Sequence, residues 1–278
     1  MKSVLAALLL AAAPQRIVST SPSITEILFA LGLGDRVVGV TTFCRHPPEA
    51  QKKAKIGSFI QPDLETVAAL RPDLVIIQKN PVQLGEKLGR LGLRSMEVDF
   101  PSVDQTLTAI ERIAGACGQT GRGAQLAASL REQLSAVRRA VGLRRRTTLA
   151  FVVGRNPNAI DGLFAAGAKS YLTDLIDIAG GANVYADATG SYPRVTLESL
   201  LERNPDVIID TAEMGDLARL DDAGKRRVVA LWGRQTALKA VREHRVYALS
   251  DEALTKPGPR MALAAQALAR LLDGVDGK

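Results

Sequence analysis

The hydrophobic pattern of this chain contains one unit twice. The first copy runs Asp63-Leu64-Glu65-Thr66-Val67-Ala68-Ala69-Leu70-Arg71-Pro72-Asp73-Leu74-Val75-Ile76-Ile77. The second runs Thr196-Leu197-Glu198-Ser199-Leu200-Leu201-Glu202-Arg203-Asn204-Pro205-Asp206-Val207-Ile208-Ile209. Each predicts a short helix opening at a capping residue, Asp63 or Thr196. A glutamate sits two positions in, where the helix dipole and free N–H groups favour a carboxylate. Pro-Asp then stops the helix, and the apolar, mostly β-branched run that follows reads as a buried strand. The spacing from glutamate to proline is the same in both copies, so the pattern predicts two α/β lobes, each carrying one helix–turn–strand unit.

The rest of the pattern fills in around these copies. Residues 16–20 read as a first strand. A helix follows, in which Ser23 and Glu26 have capping-box spacing and Gly32 and Gly34 mark the end. A strand over 36–40 leads into a loop, 41–50, that carries Phe43, Cys44, His46 and Glu49. A strand over 74–77, a helix to about 91 and a strand near 96–99 complete an alternation that favours a mainly parallel sheet. From 120 to 141 the apolar residues Ala127, Leu130, Leu134, Val137 and Val141 recur at helical spacing. Such a helix is about 33 Å long, enough to join two lobes. Beyond it come a strand over 148–153, a helix over 171–179 stopped by Gly180-Gly181, a loop over 187–193, the second repeat, an acidic loop over 213–222 and a strand over 245–249. Gly258-Pro259-Arg260 opens a terminal helix ending near Leu272, with proline at a helix start, where its missing N–H costs nothing. The expected organisation is a signal peptide over 1–14, an N-terminal lobe over 15–118, a connecting helix over 119–143 and a C-terminal lobe over 144–278.

The N-terminus has Lys2, an apolar run from Val4 to Leu10 and three alanines before Pro14, the pattern of a short export signal, with a buried first helix as the alternative. It falls short of the ~20 apolar residues that span a bilayer. No cysteine follows it, which argues against a lipid anchor there. Export would place Cys44 and Cys117 in a compartment that permits a disulfide, a pairing the sequence leaves open. The net charge of +7 permits contact with nucleic acid or an anionic membrane. Part of it comes from one cluster, Arg138, Arg139, Arg144, Arg145 and Arg146, which reads as a solvated helix end and linker.

Motifs for enzyme chemistry are missing. The chain has no phosphate-binding glycine loop, no dinucleotide fingerprint, no H-E-x-x-H and no G-x-S-x-G. Its two histidines, His46 and His244, share no metal-ligand spacing, and His244 reads as part of a solvated turn. Nothing assembles a nucleophile, a base and an orienting group. An enzyme would have to build its site from distant segments, with Cys44 and His46 as the first suspects.

Several segments together resemble the periplasmic substrate-binding proteins of ABC importers. They are residues 16–26, Pro47-Pro48-Glu49-Ala50, both repeat copies, Ala179-Gly180-Gly181-Ala182-Asn183-Val184 and Gly258-Pro259-Arg260. The subfamily has one helix joining two α/β lobes and takes up cobalamin, ferric siderophores, haem or metals; the likeness is greatest to its cobalamin-binding members. The resemblance implies a cleft between the lobes, with Pro22, Phe43, His46, Phe59, Gln78 and Lys79 on the N-lobe rim and Tyr192 and Asp251 on the C-lobe rim. Phe43, Phe59 and Tyr192 would supply aromatic walls for a flat macrocycle. Cobalamin-binding relatives have tryptophans at the positions of Phe59, Gln78 and Tyr192, and an arginine at that of Thr255, so haem and ferric siderophores stay open beside a corrinoid. Haem would ask for an iron ligand such as His46 or Cys44. The resemblance further implies that Glu65 and Glu198 dock into arginine pockets of a permease dimer. It implies an exported monomer with no cofactor of its own, no metal and no nucleic-acid partner.

Overall fold

The computed structural model describes residues 13–80, 82–142, 146–211 and 220–276. The expected signal segment, apart from residues 13 and 14, lies outside the described residues, as do Arg144, Arg145 and most of the acidic loop. The chain divides into two compact units, one made of residues 1–98 and 111–124, the other of 99–110 and 125–278.

In the first unit the elements are β1 (Ile17–Ser19), α1 (Pro22–Ala30), β2 (Val37–Val40), β3 (Ala54–Lys55), α2 (Leu64–Ala69), β4 (Leu74–Gln78), α3 (Leu84–Arg90) and β5 (Ser95–Val98). The five strands form one sheet in the order β3-β2-β1-β4-β5, every pair parallel. Alternate residues of β1 and β4 (Val18, Val75 and Ile77) pack with Val67 of α2 and Leu84 and Leu88 of α3 into a buried core. The capping box expected at Ser23 is absent. Ser21 is the N-cap, accepting the Ile24 N–H, and Pro22 takes the first helical position, where it needs no donor. Gly32 ends α1 at φ +74, with the Gly32 and Leu33 N–H groups bonded to Phe29 and Leu28 carbonyls. Strand β3, two exposed residues at the sheet edge, has no hydrophobic pattern to announce it.

Two helices follow, α4 (Val103–Ala116) and α5 (Thr120–Val141). The bounds of α5 are those its apolar stripe predicts. The boundary between the compact units falls within both helices.

The second unit contains β6 (Thr147–Gly154), β7 (Leu163–Ala165), α6 (Tyr171–Ile178), β8 (Gly181–Asn183), β9 (Arg194–Val195), α7 (Leu197–Arg203), β10 (Val207–Asp210), α8 (Asp222–Trp232), α9 (Lys239–Arg242), β11 (Val246–Ala248), α10 (Glu252–Thr255) and α11 (Met261–Asp276). Its sheet has the order β11-β10-β6-β7-β9, with β8 also paired to β6. Strands β11, β10, β6 and β8 are parallel, whereas β7 runs antiparallel to both neighbours. The terminal helix starts after Pro259 and runs four residues past Leu272.

The repeat is real, and its aspartates have a role the sequence hides. Helices α2 and α7 end before the proline, at residues in the left-handed region, Arg71 (φ 44) and Asn204 (φ 39). Asp73 then accepts the N–H groups of Gln15 and Arg16 at 2.7 and 2.8 Å, pinning the start of β1 beside β4. Asp206 does the same for β6, accepting from the N–H and hydroxyl of Thr148 at 2.9 and 2.8 Å, and it also pairs with Lys239. Burial alone would raise the Asp206 carboxyl, but Lys239 and the two Thr148 donors hold it net below its usual value. A carboxyl depressed in the fold contributes stability above its unfolded pKa and loses it as pH falls through the folded value. We therefore expect Asp206→Asn to be less stable than wild type at pH 7, with the gap closing below about pH 4. Denaturant midpoints at pH 7, 5 and 3 check this; a gap that does not change with pH would show that the ionised carboxylate contributes nothing.

Candidate ligand-binding site

A parallel α/β sheet presents its loops, and usually its ligand, at the carboxyl ends of the strands, above all where the strand order reverses. In the first unit that point lies between β1 and β4. Six of the residues singled out from the sequence follow strands of this sheet. Pro22 follows β1, Phe43 and His46 follow β2, Phe59 follows β3, and Gln78 and Lys79 end and follow β4. The fold brings all six to one edge.

This edge is laced together. Thr42 N–H donates to the Gly57 carbonyl at 2.9 Å, tying the loop after β2 to the loop after β3. The Asn80 side-chain amide donates to the Phe59 carbonyl at 3.2 Å, tying in the loop after β4. Ser58 and Gln61 close a tight turn, Ser58 N–H to the Gln61 carbonyl and Gln61 N–H to the Ser58 hydroxyl, with Phe59 and Ile60 between them. Gly57 (φ +85) permits the turn, since a Cβ there would meet the Gln61 carbonyl oxygen at 2.6 Å. The result is an apolar surface on braced loops. Phe43 is 38% exposed and Ile60 65%, while Phe59 is half-buried. His46 and Lys79 are exposed, and Pro22 and Gln78 are half-buried.

Beneath the edge is a buried network of hydroxyls. Ser19 Oγ lies 2.8 Å from Thr25 Oγ1 and donates to the Ser21 carbonyl at 3.0 Å. Thr25 Oγ1 reaches the Cys44 sulfur at 3.1 Å, as does Thr41 Oγ1. Thr20 Oγ1 accepts the Gln78 N–H at 3.1 Å. Cys44 therefore points inward and anchors the loop that carries Phe43 and His46. Burial pushes its thiol up, against the lowering effect of the Thr25 and Thr41 bonds. A neutral, buried thiol is a poor metal ligand and a poor nucleophile, which removes Cys44 as a haem ligand and as an enzyme suspect. Cys117 is also buried, its thiol pushed up to about 11 by desolvation. Both cysteines are free, so the pairing the sequence permits is not formed.

The second unit is arranged differently. Asp251 follows β11 and is the N-cap of α10, its carboxylate accepting the Ala253 N–H at 2.8 Å. Tyr192, 45% exposed, lies in a bend just before β9, in a segment whose Ser191 and Pro193 carbonyls accept from Gly167 and Ala165. With β11 and β9 at opposite edges of the sheet, four strand spacings of ~4.8 Å put the two residues' strands about 19 Å apart. The sheet does not bring them together. The centre of its carboxyl end holds side chains that sequence reasoning passed over. Arg155 directly follows β6, and its Nε donates to Asp210 Oδ2 at 2.9 Å, with the side chains 3% and 0% exposed. Trp232 Nε1 donates to the same oxygen at 2.6 Å. The only signals were an aspartate closing an apolar run and the single tryptophan of the chain.

Glu65 and Glu198 occupy the second helical position of α2 and α7, and both are exposed. Bonds from its own N–H and from the Thr196 hydroxyl hold the Glu198 carboxyl below its usual value. Among the described residues, no group of three or more His, Cys, Asp or Glu is placed to hold a metal ion, and no helix is long and apolar enough to cross a membrane.

A family model described as periplasmic binding protein matches residues 17–253. The vitamin B12-binding protein of Salmonella paratyphi A is 29% identical over 267 residues, which cover 95% of this chain and 92% of that protein. An uncharacterised ABC transporter substrate-binding lipoprotein of Bacillus subtilis, YvrC, is 29% identical over 264 residues, 92% of this chain and 79% of that one. Among solved structures, the periplasmic haem-binding protein RhuT from Roseiflexus sp. RS-1, in apo form, superposes with a TM-score of 0.80 at 28% identity, covering 94% of this chain and 98% of that one. These relatives are transport binding proteins and not enzymes. The chain belongs to the periplasmic binding protein family, as a substrate-binding protein of the ABC importer type.

Proposed function

We propose that this protein captures a corrinoid, a cobalamin-like metal chelate, and delivers it to the permease of an ABC importer. The observation that carries the reading is the apolar surface at the carboxyl edge of the first sheet, where Phe43, Phe59 and Ile60 stand on loops braced to one another. A flat macrocycle gains most from such preorganised aromatic and aliphatic faces, because little side-chain freedom is lost on binding. The relationship to a vitamin B12-binding protein along nearly the whole chain supports the same ligand class. Pro22, Gln78 and Lys79 supply polar and backbone contacts on that edge, and Tyr192 and Asp251 act from the second unit. Glu65 and Glu198 make the contacts to the permease. The protein is exported, with the apolar segment 1–14 as its signal.

Haem is the second reading, favoured by one observation. His46 is exposed on the same edge and is a suitable iron ligand. Absorbance titrations with cyanocobalamin, dicyanocobinamide and hemin separate the readings. We expect saturable one-to-one corrinoid binding, weakened at least tenfold by Phe43→Ala or Phe59→Ala and unaffected by His46→Ala. A Soret shift with hemin that His46→Ala removes would replace the corrinoid with haem. Binding of none of the three would overturn both.

A further inference from the structure

The pair Arg155–Asp210 is a costly feature to keep at the end of an apolar sheet. Removing two charges from water costs several kcal/mol each, and an apolar pair of similar size would fill the same space at less cost. What the charges provide is geometry. Asp210 closes β10, and its Oδ2 accepts from both Arg155 and Trp232. Its backbone carbonyl accepts the Leu249 N–H beyond β11 at 3.0 Å, and Thr211 N–H donates back to Val152 of β6 at 3.0 Å. The guanidinium reaches the other way. Arg155 Nη1 donates to the carbonyls of Asn156 and Ala159 at 3.1 and 3.4 Å, closing the loop that leaves β6. The Asn156 N–H bonds the Asp161 carbonyl at 3.1 Å, and Gly162 (φ +57) leaves room for the Asn156 side chain, which a Cβ there would meet at 2.7 Å. One buried carboxylate thus holds the end of α8 and the guanidinium that shapes residues 156–161.

We infer that Arg155 is a positioning residue for ligand binding: gripped by Asp210, which Trp232 holds in turn, it fixes the loop 156–161 at the carboxyl end of β6 and thereby sets the affinity of the second unit for the ligand. The inference rests on the proposed corrinoid or haem binding and names the side chains that preorganise its second half. The planar fork is essential, because a lysine can pair with Asp210 but cannot hold two loop carbonyls in the same geometry.

Two variants test it. Arg155→Lys keeps a cation beside Asp210, and Arg155→Met/Asp210→Leu removes both charges together, so that neither is left buried alone. Amide hydrogen exchange is followed at residues 156–161, with the emission of Trp232 as a monitor of the surrounding core, and cyanocobalamin and hemin affinities are measured in parallel. We expect both variants to keep a buried tryptophan spectrum, to exchange the loop amides at least tenfold faster than wild type and to bind the wild-type ligand at least tenfold more weakly. If the double variant does not fold, Arg155→Lys decides. Wild-type exchange at 156–161, or wild-type affinity despite a loosened loop, would overturn the inference. If the wild-type protein binds neither corrinoid nor haem, the functional reading fails, and the role of Arg155 in shaping the loop stands or falls on the exchange data.

Discussion

Asp210→Ala is expected to cost about 3–5 kcal/mol of stability, the largest single-site effect at the candidate site. The loss has two parts. Arg155, 3% exposed, would keep its charge without the carboxylate that compensates it. Trp232, fully buried, would keep an indole N–H without its acceptor. A buried donor left unmade costs about 1–3 kcal/mol, and more when the group is charged. At roughly 2–4 °C per kcal/mol for a protein of this size, the melting midpoint should fall by about 6–20 °C. Arg155→Met/Asp210→Leu should recover the part of that loss that comes from the unpaired Arg155 charge, because it removes both charges together, but not the part that comes from Trp232, whose indole N–H still lacks its acceptor. Calorimetry on the two variants decides the matter. A midpoint for Asp210→Ala within about 2 °C of wild type would mean that Arg155 swings out to water, and that the pair is neither isolated nor rigid.

The fold was legible wherever a local pattern sufficed. The stripe from Ala127 to Val141 marked the long helix and its last residue, and the two capped helices with their glutamates appeared in register because Asp63 and Thr196 act on their own first turns. The errors lie where a distant partner decides. Proline was read as the stop signal, but the helices end in left-handed residues before it, and the aspartates after it act on strands 57 or 58 residues away in sequence. Ser21 rather than Ser23 caps α1, since proline at the first helical position fixes where the helix begins. The antiparallel β7 is three residues long, too short for its alternation to be seen, so the mixed character of the second sheet was invisible. The six residues that the family resemblance names on the first unit share one edge because each ends or follows a strand of one parallel sheet. Tyr192 and Asp251 belong to opposite sheet edges, which no local signal records. The buried pair was missed because burial of a charge is a property of the assembled sheet; in sequence Arg155 looks like any polar loop residue.

Replacing both glutamates, Glu65→Gln/Glu198→Gln, is expected to leave ligand binding intact and to reduce importer-driven uptake by about 100-fold, roughly tenfold for each charge. The expectation follows from symmetry. A permease dimer with two-fold symmetry offers the same pocket twice, and a single chain can fill both only if it presents the same group twice. The internal repeat does so, with an exposed carboxylate at the second position of α2 and again at that of α7. Glutamine is the discriminating substitution. It keeps side-chain length and an oxygen able to accept from the helix N-terminus, so a purely capping role would survive it, whereas recognition by arginine requires the charge. The two sites should not be equivalent. Glu198 is already engaged by its own N–H and by Thr196, and it must give up those bonds to meet a permease arginine. Uptake into proteoliposomes carrying the cognate importer, measured at low and physiological salt, tests the idea. Loss of uptake with unchanged ligand affinity, and a weaker salt dependence of binding to the permease, is the expected result. Wild-type uptake by the double variant would reduce both glutamates to helix-capping residues.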